Sequence, residues 1–247
     1  MGGFLKTRLI NIENQTSPGV VSPTELKLLV EALRIQALQD FNTSPWVEHG
    51  YCDPIEVSLI SNNHAPVGSY NIILLDTLPA EDENALGFHE DIDGGKIPVS
   101  YVGVKESRED DISVTAVASH EMVEMAVDPF VEGNEIRTAR NKLENKEYIV
   151  EIADPLEGCE YKVNNGQEVA NFVWPKWFGM EQTRTQISER IMFGKVEYPF
   201  QLAPNGYISS RPIGSGESSW SETFGYKRTE LPKWASRLPR IKKQIKE

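Results

Sequence analysis

His120, Glu121 and Glu124 stand together in the stretch Ser119-His-Glu-Met-Val-Glu-Met-Ala-Val-Asp-Pro129, a spacing that builds half of a metal site with a base beside it. At about 100° per residue, helix positions four apart share a face one turn apart, so His120 and Glu124 can address one ion. Glu121 sits just round that face, where a carboxylate can take a proton from water at the ion. The pattern is that of the HExxH metallohydrolases with the second His replaced by Glu. Acidic residues that merely suit the first turn of a helix would leave the same trace. The flanking residues argue for chemistry: Val114, Val117, Ala118, Met122, Val123, Met125 and Ala126 bury this helix, and a buried His with two Glu must be satisfied somehow.

A third ligand is expected from the segment Tyr148-Ile-Val-Glu-Ile-Ala-Asp-Pro155, which offers Glu151 and Asp154 after a polar stretch. Glu151 ranks first, Asp154 second and His89 third. One imidazole with two or three carboxylates is a harder donor set than a His-rich one, so zinc is the first expectation and manganese or calcium the alternatives. The extra negative charge should also leave water at the ion less acidic than at a two-His or three-His site. Asp128 precedes Pro129 and reads as a helix-end or turn residue. Neither His49 nor His64 lies in a motif.

Composition narrows the setting. The 247 residues, 39% of them hydrophobic, suffice for a sizeable core. No apolar run reaches membrane-spanning length, and Met1-Gly-Gly-Phe-Leu-Lys6 lacks the apolar stretch of a secretory signal, so a cytoplasmic chain, or one assembled into a virion made there, is expected. Two cysteines, Cys52 and Cys159, make no disulfide framework and fit a reducing compartment as buried thiols. The net charge of −12 is uneven: residues 226–247 hold eight Lys or Arg against two Glu, leaving 17 basic and 35 acidic residues for 1–225. The body should therefore repel nucleic acid, while the tail suits an acidic protein partner or a second copy of the chain. In the tail Trp234, Leu238, Ile241 and Ile245 fall at helical spacing, interrupted by Pro232 and Pro239.

Elements must carry these residues. Leu5–Asn14 alternates as a strand, and Ser22-Pro-Thr-Glu25 is a capping box opening a helix to about Asp40. Ile55–Ser61 and Tyr70–Leu75 read as strands, Pro79–Lys96 as an acidic, Gly-containing loop, and Val99–Val104 as an edge strand. Asp110 and Asp111 cap the helix bearing His120. Tyr161–Val173 predicts a hairpin turning at Asn165-Gly166 with Trp174, Trp177 and Phe178 behind it as core or interface. Asn205-Gly206-Tyr207 and Gly214–Trp220 read as turn and linker before the tail.

With those residues laid out, the chain resembles a family of uncharacterised bacterial and phage proteins with a zincin-like HExxE core. The matching segments are Leu86-Gly-Phe-His-Glu90, Ser119–Pro129, Glu151-Ile-Ala-Asp154, Asn171-Phe-Val-Trp-Pro175, Pro204-Asn-Gly-Tyr207 and Gly214–Trp220. The resemblance implies a peptidase-like fold with His120 and Glu124 as ligands and Glu121 as base. It departs at Ala153, where such relatives often carry Cys, although Cys159 lies close by. The expected class is α+β: a zincin-like core of mixed, twisted sheet and two helices over residues 1–160, a β-rich extension over 161–210, and a linker with basic tail over 211–247. Two functions follow. One is a metal-dependent, peptidase-like hydrolase that holds an extended peptide along the Tyr101–Val104 edge strand; the other is an inactive fold serving assembly, as in a phage particle.

Overall fold

The computed structural model describes residues 6–60, 66, 68–82, 85–92, 97–130, 136–180, 196, 198–216 and 219–225. The first strand, β1 (Arg8–Asn14), alternates so that Ile10 and Ile12 are fully buried, each side chain contributing about 1.5–3 kcal/mol by leaving water. The capping box forms as its sequence requires: the Glu25 amide donates to Ser22 Oγ at 3.2 Å, and the Ser22 amide to Glu25 Oε2 at 2.8 Å. It starts α1 (Pro23–Gln36), which runs into a wider π turn at Ala37–Phe41. A short α2 (Pro45–Glu48) leads to β2 (Ile55–Ile60) and then β3 (Tyr70–Leu75).

The segment expected as a loop, Pro79–Lys96, contains a strand, β4 (Gly87–Ile92), and β5 is Ile97–Gly103. These five strands form one sheet in the order β2-β1-β3-β5-β4. All neighbours are parallel except β4, which runs antiparallel to β5 with His89 opposite Ser100. The expected edge strand at Val99–Val104 is thus corrected: β5 is interior, flanked by β3 and β4, and β4 is the edge. Its polar sequence, Gly-Phe-His-Glu-Asp-Ile, hides it from propensity, because the residues turned toward the helices are kept for polar contacts rather than packing.

A six-residue α3 (Val104–Glu109) precedes α4 (Val114–Val127). The cap of α4 is Ser113, whose Oγ accepts from the Ala116 amide, and not Asp110 or Asp111. Every residue of α4 from Thr115 to Val127 is buried. A polar knot fixes its rotation: Ser119 Oγ donates to Gln36 Oε1 and accepts from the Ala170 amide, both at 2.8 Å, while Gln36 Nε2 donates to the Ala170 carbonyl at 2.7 Å. All three groups are satisfied where an unmade bond would cost about 1–3 kcal/mol.

The remaining strands are β6 (Thr138–Asn141), β7 (Lys146–Ile149), β8 (Tyr161–Lys162), β9 (Glu168–Val169), β10 (Tyr207–Pro212) and β11 (Ser221–Phe224). β8 and β9 are the expected hairpin, with Gly166 at φ +83°. β11-β10-β7-β6 make an antiparallel sheet. The Gly214–Trp220 run therefore connects β10 to β11 within a sheet instead of leading only to the tail. One apolar core runs from Ile10 through Val117, Met122 and Phe172 to Ile208, so the first 160 residues and the β-rich part share it. Trp177 and Phe178 are buried there. Among the described residues no helix is long and apolar enough to cross a membrane. The basic tail, residues 226–247, and His64 lie outside the described residues.

Candidate metal centre

His120 and Glu124 share the inward face of α4, and the 3-10 turn Asp154–Leu156 meets them from the far side. His120 Nε2 lies 3.2 Å from Glu124 Oε2 and 3.2 Å from Asp154 Oδ1. Glu124 is held from behind, because its Oε1 accepts the amides of Ala153 (3.1 Å) and Asp154 (3.2 Å). Ala153 contributes through its backbone, so no thiol is needed at that position. All three side chains are buried, and their ligand atoms lie within 4.8 Å of one another.

The donor set fits an ion. Four bonds of about 2.0–2.1 Å in tetrahedral array set neighbouring ligand atoms about 3.3–3.4 Å apart, close to both 3.2 Å separations. One imidazole nitrogen carries at most one hydrogen, which cannot align with two carboxylate oxygens at once. Asp154 Oδ1 accordingly makes no well-formed hydrogen bond although it is buried. Without an ion the three groups hold two negative charges against one imidazolium. Burial by itself would pull the His120 pKa down, but the Glu124 charge and the close approach of the Asp154 and Glu124 carboxylates hold it well above its ordinary value. Burial first, then the Glu124 charge, push Asp154 up to about 7 against the pull of His120 and Tyr207.

Tyr207, at the start of β10, donates its hydroxyl to Asp154. Burial, followed by the charges of Asp154, Glu157 and Glu124, keeps the phenol protonated and so able to donate to the carboxylate. The strand is braced by Arg211, whose guanidinium reaches Glu147 Oε2 at 3.2 Å and lies over the Trp220 ring at 4.5 Å. Tyr207→Phe should lower metal affinity about 10–100-fold, as loss of an outer hydrogen bond to a ligand does. Titration with zinc against a competing chelator reads this directly, and an unchanged affinity counts against the contact. Gly206 brings Tyr207 close by having no side chain: a Cβ there would strike the Pro155 carbonyl oxygen. Gly206→Ala should therefore destabilise the chain by about 1–3 kcal/mol, seen in denaturant unfolding.

Beside this cluster lies a second one. Glu121 Oε2 is 3.1 Å from His89 Nδ1 on β4, and the ring's other nitrogen, Nε2, lies 3.2 Å from the Asp128 carbonyl. The ligand atoms of His89, Glu121 and Glu124 also fall within 4.8 Å of one another. The Asp128 side chain accepts the Arg137 amide at 3.0 Å just beyond the helix end.

Among the sequence-derived candidates, then, the structure brings His120, Glu124 and Asp154 together, with Glu121 adjacent. Glu151 is buried but joins neither cluster, because the bend at Ile152 and Ala153 carries Asp154, and not Glu151, toward His120. His89 lies at Glu121 and outside the His120 cluster. Sequence reading met Tyr207 only in a turn, Asn205-Gly206-Tyr207, and in the Pro204–Tyr207 segment of the resemblance, with no role at the cluster. Spacing holds no signal for it, since a cross-sheet contact more than fifty residues away leaves no period. Cys52 and Cys159 form no disulfide. Comparison of the chain with protein-family models, with curated proteins and with solved structures finds no match.

Proposed function

We propose that the chain is a metal-dependent, peptidase-like hydrolase of zincin type, with the ion held by His120, Glu124 and Asp154 and with Glu121 as general base. The observation that carries this reading is the convergence of one imidazole nitrogen and two buried carboxylates at 3.2 Å, with the Glu121 carboxylate within 4.8 Å of that of Glu124, the reach of one water. Further support comes from the sheet, whose antiparallel edge strand β4 lies beside the helix bearing the motif. Zinc remains the first candidate and manganese or calcium follow, because two of the three donors are carboxylates.

A bound divalent ion would supply Lewis acidity toward a carbonyl and toward water. Glu121 would accept the proton of the attacking water and return it to the leaving nitrogen. Tyr207 and the amides of Ala153 and Asp154 fix the ligand carboxylates, so the site needs little rearrangement on each turnover. Among the described residues β4 pairs with β5 alone, and its outer edge suits an extended peptide by strand addition.

The test is metal analysis of the purified full-length chain, followed by peptide-library cleavage with wild type and Glu121→Gln. One ion per chain with Glu121-dependent cleavage supports the hydrolase. A metal-free chain that forms rings or larger assemblies would move the reading to the assembly role.

A further inference from the structure

Among the described residues, α1 and α4 pack on the same face of the five-stranded sheet, that of Ile10, Ile12, Ile72 and Leu74, and share one apolar cluster with them. By the period-2 rule the opposite face carries Leu9 on β1, Ile60 on β2, Ile73 and Leu75 on β3 and Ile92 on β4. None of these five joins that cluster. Ile92 is 40% exposed and the other four are half-buried. Sheets of parallel strands with apolar residues on both faces are normally covered on both, so this one is a layer short. The charged strand residues on the same face are Glu13, Glu56 and Glu90, all acidic. Between β1 and β3, Asn11 Nδ2 donates to Ser69 Oγ at 2.7 Å and to Asn71 Oδ1 at 3.1 Å. Asn11 Oδ1 itself is buried and accepts no hydrogen bond. An unmet acceptor among acidic and apolar side chains calls for a partner that is cationic, partly apolar and rich in donors.

We infer that this face is the docking surface of the chain's own C-terminal segment, residues 226–247. That segment supplies what the face lacks: eight Lys or Arg against two Glu, with Trp234, Leu238, Ile241 and Ile245 among them. Its apolar residues match Leu9, Ile73 and Leu75, its cations match Glu13, Glu56 and Glu90, and its N–H groups match Asn11 Oδ1. Its length suffices as well. The segment follows Gly225, whose amide donates to the Gly206 carbonyl at 2.7 Å. Gly206 lies against Pro155 in the turn that faces α4, so the segment starts on the helix side of the sheet. The 22 residues from 226 to 247 reach about 70 Å when extended. Five strands spaced about 4.8 Å apart span only about 20 Å, which leaves enough chain to round the sheet edge and cross the far face. A tethered segment meets its own chain's face at a high effective concentration, which favours this face over a neighbour's. The contact is independent of the metal centre.

The test is zero-length carbodiimide coupling of the full-length chain, with coupled peptides mapped by mass spectrometry and molecular mass followed by ultracentrifugation over a range of concentrations. Lys227, Lys233, Lys242, Lys243 or Lys246 should couple to Glu56 or Glu90 within the monomer, in the same proportion at every concentration. Ile73→Lys, which sets a cation in the apolar row, should remove most of this coupling; unchanged coupling in the folded variant would overturn the docking. Coupling to Glu56 or Glu90 found only in a dimer that grows with concentration would give the face to a second copy and overturn the contact within one chain. Coupling confined to Glu157, Glu160 or Glu168, around the acidic cavity at the start of α4, would overturn the choice of surface, as would no coupling of these lysines at all. Wild type alone decides between these maps, so they stand even if Ile73→Lys fails to fold.

Discussion

Glu121→Gln is expected to cut peptide hydrolysis by about 10²–10⁴-fold, the range for losing a general base, while the chain keeps its full complement of metal. Gln has the size of Glu and still fills the space between α4 and β4, so the helix should not shift. The change instead removes the proton-accepting carboxylate and replaces the group facing His89 Nδ1. His120, Glu124 and Asp154 are untouched, and Glu124 remains clamped by two amides. Metal content by elemental analysis and kcat with a cleaved peptide read the two halves separately. Loss of metal together with activity would mean that Glu121 is a ligand; retention of both would remove it from the chemistry.

Stripping the ion should expose a stability that falls as pH rises. In the metal-free chain Asp154 is pushed from the ordinary 3.8 up to about 7. A carboxyl with a raised folded-state value stabilises the fold below its unfolded value and loses that contribution as pH climbs through the folded one. His120, raised well above 6.5, likewise contributes fully below its unfolded value and loses that contribution as pH rises through the higher folded one. Both act in the same direction, so apo stability should decline from about pH 4 to beyond pH 7. Physically, raising the pH strips the shared proton from a buried cluster with more negative than positive groups. An ion takes that proton's place. Zinc at a thousandfold excess over its Kd should add about 4 kcal/mol, with its affinity rising over the same pH range because the ligands must first lose protons. Denaturant midpoints between pH 5 and 8, with and without chelator, measure both trends. A chelator that shifts no midpoint would leave the cluster as a structural ion pair. His120→Ala, which takes away the only imidazole of the cluster, should abolish the zinc effect.

How far the site could be read from residues alone depended on the distance over which each contact acts. His120 and Glu124 are one helix turn apart, so periodicity is enough to pair them, and the capping box of α1 is local in the same way. Asp154 and Glu151 were both in view, yet only the bend at Ile152 and Ala153 decides between them, and no pattern in Tyr148–Pro155 encodes the direction of a bend. The edge strand was placed one strand too far along. Ile97–Gly103 has the better alternation, whereas Gly87–Ile92 buries a histidine and a glycine that make it look like loop. Tyr207 was in view as part of a turn, but its contact with Asp154 was not, because that contact joins a strand of one sheet to a turn far earlier in the chain. Within the expected loop Pro79–Lys96, His89 is a polar residue whose burial against Glu121 disguises a strand.

The donors gathered at this centre are nitrogen and oxygen only, since Ala153 gives its backbone amide to Glu124. Of the two thiols, Cys159 is buried and Cys52 is held protonated, its pKa pushed by burial up to about 12. A thiolate-bound ion is released when peroxide climbs the sulfenic and sulfinic steps; among the described residues neither cluster includes a sulfur. A zinc ion loaded at these donors should therefore survive peroxide treatment that empties cysteine-built sites.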